Sequence, residues 1–199
     1  MAPNRIMRGP AMRRALLVGA IATLLAAVLA GCGGGGSSGP AGEREADAKV
    51  LNEILARQLA VVAAYGKVLP GLRGADLVTA RHFRAQEQEH VDATTKVLQK
   101  VGAEADPPAE TIEANDLKTR EDALTFLYEM ESATIDAELH AIASLNIAWP
   151  RPLLASMVAN QAQRLVLIRR ALGVKGLETV PQPFETGETP APEGMMKNP

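Results

Sequence analysis

Two pairs of polar residues share one helical spacing, and only the first pair consists of metal ligands. Glu87 and His90 lie three residues apart, and Gln161 and Arg164 repeat that spacing later in the chain. Residues three apart share one face of a helix. A Glu-x-x-His on each of two helices is how a four-helix bundle holds two iron or manganese ions. The first pair can bind a metal, whereas the permanent guanidinium cation of the second pair opposes one.

Four long helices are predicted to position these residues, because apolar residues recur at steps of three and four. The helical stretches cover roughly 44–68, 76–102, 119–146 and 152–173. Asp76 is a plausible cap of the second helix, and Thr119 with Asp122 resembles a capping box at the third. Short links favour two antiparallel pairs, and the longer link containing Pro107-Pro108 allows a crossover between them. The prediction is an all-α, antiparallel four-helix bundle.

Polar residues interrupt the apolar face near the middle of every predicted helix. In chain order they are Gln58, Glu87, His90, Glu131, Gln161 and Arg164, with Glu138 one heptad after Glu131. Four helices interrupted at a similar depth indicate one shared buried layer. An unpaired buried polar group costs roughly 2–7 kcal/mol. Either a metal ion or a hydrogen-bonded ion network must therefore satisfy the layer.

With these residues, the stretch 45–178 resembles the bacterial ferritin-like domain family, in particular its rubrerythrin-like and desiccation-related branch. The resemblance rests on Glu87-Gln88-Glu89-His90 and on Glu131. Further similarity comes from the spacing of Gln58 and Tyr65, the segment Asn160–Arg164, and Pro183-Phe184. The resemblance implies a ferritin-like bundle with a longer crossover between its second and third helices.

In metal-binding members of that family, the first and third helices each give a Glu, and the second and fourth each give Glu-x-x-His. By this resemblance, Glu87, His90 and Glu131 match metal ligands. Three positions depart from the pattern, since Glu, Glu and His are replaced by Gln58, Gln161 and Arg164. The resemblance therefore implies a degenerate di-metal site.

We expect the Arg164 guanidinium to take the place of a metal ion, bridging Glu131 with Glu87 or Glu138. Gln58 and Gln161 would complete the hydrogen bonding, and no metal would be bound. One alternative keeps Glu87, His90 and Glu131 as residual ligands of a single iron or manganese ion. A second alternative is that the helical phase differs and that these residues are surface charges.

The N-terminus has the pattern of a lipoprotein signal peptide over residues 1–31. Four arginines precede an apolar run over 15–30, which ends in Leu29-Ala30-Gly31-Cys32. A basic segment, a short apolar run and a small-residue cleavage site define a secretory signal. Leu-Ala-Gly-Cys resembles the bacterial lipobox, which implies that Cys32 becomes the acylated first residue of the mature chain. The alternative is an unpaired thiol after an ordinary signal peptide or anchor helix.

Composition divides the rest of the chain into a tether, a domain and a tail. Residues 32–43 are rich in Gly and Ser and are predicted to be a flexible tether. Residues 44–178 form the predicted bundle, and residues 179–199, with five prolines, an extended or disordered tail. Removing 1–31 takes four arginines and no acid, so 17 basic side chains face 23 acidic ones and the net charge becomes −6. An acidic surface argues against nucleic-acid binding.

These features predict a lipid-anchored protein on the extracytoplasmic face of the cell membrane. The expected role is a non-enzymatic scaffold or interaction module, whose partner is a second copy or another envelope protein. The alternative is a redox or peroxide-handling protein that binds iron or manganese through Glu87, His90 and Glu131. A copper or haem carrier using methionines and histidines is a third, less supported class.

Overall fold

The computed structural model describes residues 40–108, 110–112, 114 and 117–181. Four α-helices account for most of this part of the chain: α1 (Pro40–Val68), α2 (Gly74–Val101), α3 (Arg120–Ser144) and α4 (Arg151–Ala171). Short 3-10 helices occupy Leu69–Gly71 and Gly176–Thr179, and the described residues contain no strand. The predicted all-α four-helix fold is confirmed. None of the described helices has the length and hydropathy that a membrane crossing requires.

The boundaries of the bundle differ from the predicted ones. Helix α1 begins at Pro40, so residues 40–43, which were expected in the tether 32–43, are helical. The fixed φ of proline suits the first turn of a helix, and Glu43 in that turn favours the helix N-terminus. The 3-10 helix Gly176–Thr179 crosses the predicted end of the domain at 178. The predicted signal peptide, Cys32 and residues 182–199 of the predicted tail lie outside the described residues.

One of the two predicted helix caps is correct. The Thr119 hydroxyl accepts a hydrogen bond from the Asp122 N–H at 3.0 Å, and the Asp122 carboxylate accepts one from the Thr119 N–H at 2.8 Å. The prediction for Asp76 is wrong, because α2 begins at Gly74 and its cap is Arg73. Asp76 instead lies in the first turn of α2 and forms an ion pair with Arg120 at the start of α3.

The polar layer lies between two apolar clusters in the core. Helix α1 packs against α2 and α3, α3 packs against α4, and α2 and α4 make only a small contact with each other. One cluster includes Tyr65, Leu72, Phe83, Leu127 and Ile168. The other cluster includes Leu51, Ile54, Leu98, Leu145 and Met157. Because both clusters exclude water, the polar side chains between them depend on hydrogen-bond partners within the bundle.

A buried carboxylate holds the α3–α4 link against α1, and the sequence analysis missed it. Asp47 is fully buried, and its Oδ1 accepts hydrogen bonds from the Asn146 backbone N–H at 2.7 Å and side-chain amide at 3.0 Å. Its Oδ2 accepts one from the Ile147 N–H at 2.9 Å. These three bonds satisfy the carboxylate and position the start of α4, the helix that carries Gln161 and Arg164.

Candidate functional site

The structure brings all seven predicted site residues of the bundle into the interior. Six of them have at most 1% of their surface exposed: Gln58, Glu87, Glu131, Glu138, Gln161 and Arg164. The seventh, His90, lies at the edge of the layer with 12% of its side chain exposed. The alternative in which these residues form a charged surface is therefore wrong. Within the layer the residues separate into two hydrogen-bonded groups.

The first group is centred on the Arg164 guanidinium. Arg164 Nη1 donates to Glu87 Oε2 at 2.7 Å and to Glu131 Oε1 at 2.9 Å, so one nitrogen joins α4 to both α2 and α3. Arg164 Nε and Nη2 donate to Asn160 Oδ1 at 3.1 and 2.7 Å. The guanidinium thus binds Glu131 and Glu87, and Glu138 belongs to the other group. Charge-assisted hydrogen bonds of this kind are the stronger ones in proteins.

Tyr65 and Asn160 belong to this group, although the sequence analysis gave neither a role. The Tyr65 hydroxyl donates to Glu131 Oε1 at 2.6 Å, so the same oxygen accepts from Tyr65 and from Arg164. The spacing of both residues along the sequence indicates that they share a helix face with residues of the layer. Tyr65 lies one heptad after Gln58 on the same face of α1, and Asn160 lies one turn before Arg164 on α4.

The second group is centred on Glu138. Gln58 Nε2 donates to Glu138 Oε1 at 2.9 Å, and Gln161 Nε2 lies 3.4 Å from the same oxygen. Burial raises the pKa of Glu138 to about 8, despite the opposing hydrogen bond from Gln58. Since this carboxyl keeps its proton at neutral pH, the group is uncharged there. The two glutamines therefore bind a carboxylic acid that has no cationic partner among the described residues.

His90 contacts the first group without joining its hydrogen bonds. His90 Nδ1 lies 3.2 Å from Glu87 Oε2, but the two atoms lack hydrogen-bond alignment. The Glu87 oxygen that faces His90 is also the one that accepts from Arg164. The imidazole is therefore a neighbour of the ion network, and it has partial access to solvent.

Burial and mutual charge determine the protonation of the first group. Burial raises the pKa of Glu131, and the opposing attraction of Arg164 reduces this effect without cancelling it. Burial also lowers the pKa of Arg164, but the Glu131 and Glu87 carboxylates more than offset it and hold the guanidinium charged. For Tyr65, burial and the nearby Glu131 carboxylate raise the pKa well above its ordinary value, so the phenol remains a donor.

Several acceptor oxygens of the layer receive no hydrogen bond from the part of the chain that the structure describes. Five of its side-chain oxygens are buried and have no hydrogen-bond partner among the described residues: Gln58 Oε1, Glu87 Oε1, Glu131 Oε2, Glu138 Oε2 and Gln161 Oε1. An unsatisfied buried acceptor costs roughly 1–3 kcal/mol. These oxygens can accept further hydrogen bonds. One available donor within the layer is the carboxyl proton of Glu138.

The residues present do not fit a pair of metal ions. Arg164 Nη1 contacts both carboxylates that would have to ligate a metal, and a guanidinium offers no lone pair. Gln58 and Gln161 are neutral and direct their N–H groups to Glu138. Among the described residues, no group of three or more His, Cys, Asp or Glu side chains is arranged to hold a metal ion. The donor set therefore differs from that of a di-metal carboxylate site.

Comparison with known proteins agrees with this fold. Residues 46–174 match the ferritin-like domain family. A crystal structure described as ferritin like, diiron-carboxylate proteins from Bacillus anthracis str. Ames aligns with a TM-score of 0.54 and 18% identity, over 65% of this chain and 96% of that one. No curated protein matches. The matched range begins at residue 46, and the four helices of the bundle pack against one another. The chain belongs to the ferritin-like domain family.

Proposed function

We propose that this protein is a lipid-anchored ferritin-like domain in which Arg164 has replaced the metal ions. The bundle then acts as a non-enzymatic scaffold or interaction module on the extracytoplasmic face of the membrane. The observation that carries the proposal is the contact of Arg164 Nη1 with Glu87 at 2.7 Å and Glu131 at 2.9 Å. A fixed cation between two buried carboxylates supplies the positive charge that a metal would otherwise bring.

The chemistry of the substitution favours a structural role. A guanidinium has no redox states, no open coordination position and, in proteins, no accessible deprotonated form. It can hold carboxylates in place, but it cannot activate oxygen or peroxide. The contacts of Arg164 with Glu87, Glu131 and Asn160 join α2, α3 and two turns of α4. In this proposal the layer fixes the arrangement of the helices, and the outer surface of the bundle carries the interaction.

Metal loading tests this proposal. Residues 40–199, loaded anaerobically with Fe(II) or Mn(II) and then desalted, should retain less than about 0.1 ion per chain by elemental analysis, because Arg164 repels the cation. The triple variant Gln58→Glu, Gln161→Glu, Arg164→His restores the four carboxylates and two imidazoles of a di-metal bundle. That variant should retain about two ions per chain.

A charge-matched control separates site binding from non-specific binding. Gln88→Glu, Gln163→Glu and Arg170→His make the same three kinds of change at exposed positions of α2 and α4 and should leave retention unchanged. Retention of about one ion by the unmodified protein, lost in Glu87→Ala, would contradict the proposal. It would favour a single-ion redox protein using Glu87, His90 and Glu131, for which the unpaired oxygens of Glu87 and Glu131 are the supporting observation.

The anchoring part of the proposal rests on the sequence that ends at Cys32. The full chain, expressed in a bacterial host and labelled with an alkyne analogue of palmitate, should carry the label and sediment with membranes. Cys32→Ser should abolish the label and move most of the protein to the soluble fraction, whereas the neighbouring Ser37→Ala should change neither. Equal labelling of the two variants would contradict the proposal that Cys32 is the lipid-attachment site.

The proposed partner is a second copy of the chain or another envelope protein. Exposed apolar side chains support a contact surface, with Val78 exposed to 68% and Leu177 to 90%. Sedimentation of residues 40–199 over a range of concentrations tests the first version. A monomer at every concentration would leave only a different envelope protein as the partner.

A further inference from the structure

An apolar cavity of about 210 Å³ lies at the end of the bundle where α2 begins and α4 ends. Its walls come from all four helices and include Ala80, Phe83, Leu124, Leu127 and Ile168. All five of these side chains belong to the buried core. For comparison, a dry cavity of roughly 150 Å³ with such a lining takes up benzene. The cavity is thus large enough for one small molecule.

Two aromatic rings line the cavity beside the ion network. Tyr65 and Phe83 meet edge to face, with their centroids 6.5 Å apart and an interplanar angle of 76°. The Tyr65 hydroxyl is already engaged with Glu131. Tyr65 has no exposed surface whereas Phe83 keeps 4%, so a ligand meets the Phe83 ring, and planar aromatic molecules gain favourable ring-to-ring contacts there.

The mouth of the cavity is polar but its charges are paired. Asp76 at the rim binds the Arg120 guanidinium through both carboxylate oxygens, and Arg120 also donates to the Ala171 carbonyl oxygen at 2.8 Å. This contact joins the ends of α2, α3 and α4 around the opening. Thr79 adds one hydroxyl to the lining, and Leu167, exposed to 45%, forms an apolar lip.

We propose that this cavity binds a small neutral aromatic molecule of one or two rings with at most one polar group. The apolar walls exclude a charged ligand, because it would lose its hydration without finding an unpaired counter-charge. The cavity volume sets the upper limit on size, and Thr79 can bond a single polar group. The proposal is independent of the metal-free role of the layer, since it rests on the apolar lining and the paired charges at the mouth.

Titration with indole tests the site. Residues 40–199 should bind indole saturably, one per chain, with a dissociation constant on the order of 1 mM in ligand-detected NMR or calorimetry. Ala80→Leu places extra methyl groups at the cavity wall and should weaken binding at least about tenfold. Ala85→Leu makes the same change at an exposed position of α2 and should leave binding unchanged.

Further variants and ligands keep the test decisive. Thr79 lies at the half-buried rim, so Thr79→Leu narrows the cavity and should also weaken indole binding. This variant replaces Ala80→Leu in the test if Ala80→Leu does not fold. Indole-3-acetate, which adds a carboxylate, should bind at least about tenfold more weakly than indole. Absence of saturable binding by the unmodified domain would overturn the proposal, as would equal affinity in Thr79→Leu and Ala85→Leu. Equal affinity for the charged ligand would overturn the stated ligand class.

Discussion

Replacing Arg164 by leucine should lower the free energy of unfolding by about 3–5 kcal/mol. The substitution leaves Glu87 and Glu131 in the core without the cation that contacts both of them. For a domain of this size, that loss corresponds to a decrease in melting temperature on the order of 10 °C. Chemical denaturation and thermal unfolding of residues 40–199 at pH 7 measure both quantities.

The loss of unfolding free energy in Arg164→Leu should depend on pH, and the direction of this dependence identifies its cause. Glu131 already has a raised pKa in the folded protein, and Arg164 is the neighbour that lowers it. Without Arg164 that pKa rises further, so the folded variant holds protons that the unfolded chain releases. Such a group destabilises the fold increasingly as pH rises toward its folded pKa. The deficit of Arg164→Leu should therefore be largest at alkaline pH and should shrink as the pH falls.

Two comparisons make the result specific. Arg170→Leu changes an exposed arginine of the same helix and should alter stability by no more than about 0.5 kcal/mol. Adding Glu87→Gln and Glu131→Gln to Arg164→Leu removes the uncompensated charges and should recover a substantial part of the loss. If Arg164→Leu is no more destabilising than Arg170→Leu, the guanidinium does not hold this layer together.

Replacing Glu138 by glutamine should stabilise the domain at pH 8 and change it little at pH 4.5. The folded pKa of Glu138 is about 8, against 4.5 for an exposed glutamate. Below pH 4.5 the carboxyl is protonated in both states and contributes no difference. Between 4.5 and 8 the unfolded chain releases this proton while the folded protein keeps it, so stability falls by an amount on the order of 5 kcal/mol. Because glutamine does not titrate, Glu138→Gln removes this decrease in stability with rising pH.

The geometry allows the exchange of acid for amide. Glu138 Oε1 accepts from Gln58 and faces Gln161, and an amide oxygen can do the same. The new N–H groups can donate to Gln58 Oε1 and Gln161 Oε1, which receive no hydrogen bond from any residue that the structure describes. Unfolding of both proteins at half-unit pH steps from 4.5 to 8.5 measures the effect, with the exposed Glu129→Gln of the same helix as the control. Parallel stability curves for Glu138→Gln and the unmodified domain would show that Glu138 titrates normally.

Local sequence patterns predicted the helices and the residues of the layer. Repeats of apolar residues at three- and four-residue steps depend only on neighbours along one helix, so they located α1 to α4 without tertiary information. The first residue of α2 was harder to predict. Asp76 has the chemistry of a helix cap, but its carboxylate binds Arg120, 44 residues away. The start of α1 was misplaced because Pro40 follows a Gly- and Ser-rich stretch yet fits the first turn of a helix.

Partners within the layer could be read from the chain only in part. The sequence analysis predicted that Arg164 contacts Glu131, but it left open whether the second carboxylate is Glu87 or Glu138, which lies one heptad after Glu131. The choice depends on the depth at which α4 lies against α3, which is held in part by Asp47 through the α3–α4 link. The role of Tyr65 also depends on helix packing. Its hydroxyl reaches Glu131 only because α1 and α3 pack with this relative shift along their axes.

The sequence alone determined that four amphipathic helices share one polar layer, and that this layer contains the permanent cation of Arg164. Side-chain chemistry and helical periodicity are local properties, so no coordinates were needed for either statement. Only the tertiary structure decided that Arg164 joins Glu87 to Glu131, and that Glu138 is left to two glutamines with its pKa raised. Those outcomes depend on angstrom-scale distances and on burial, which arise when the helices pack together.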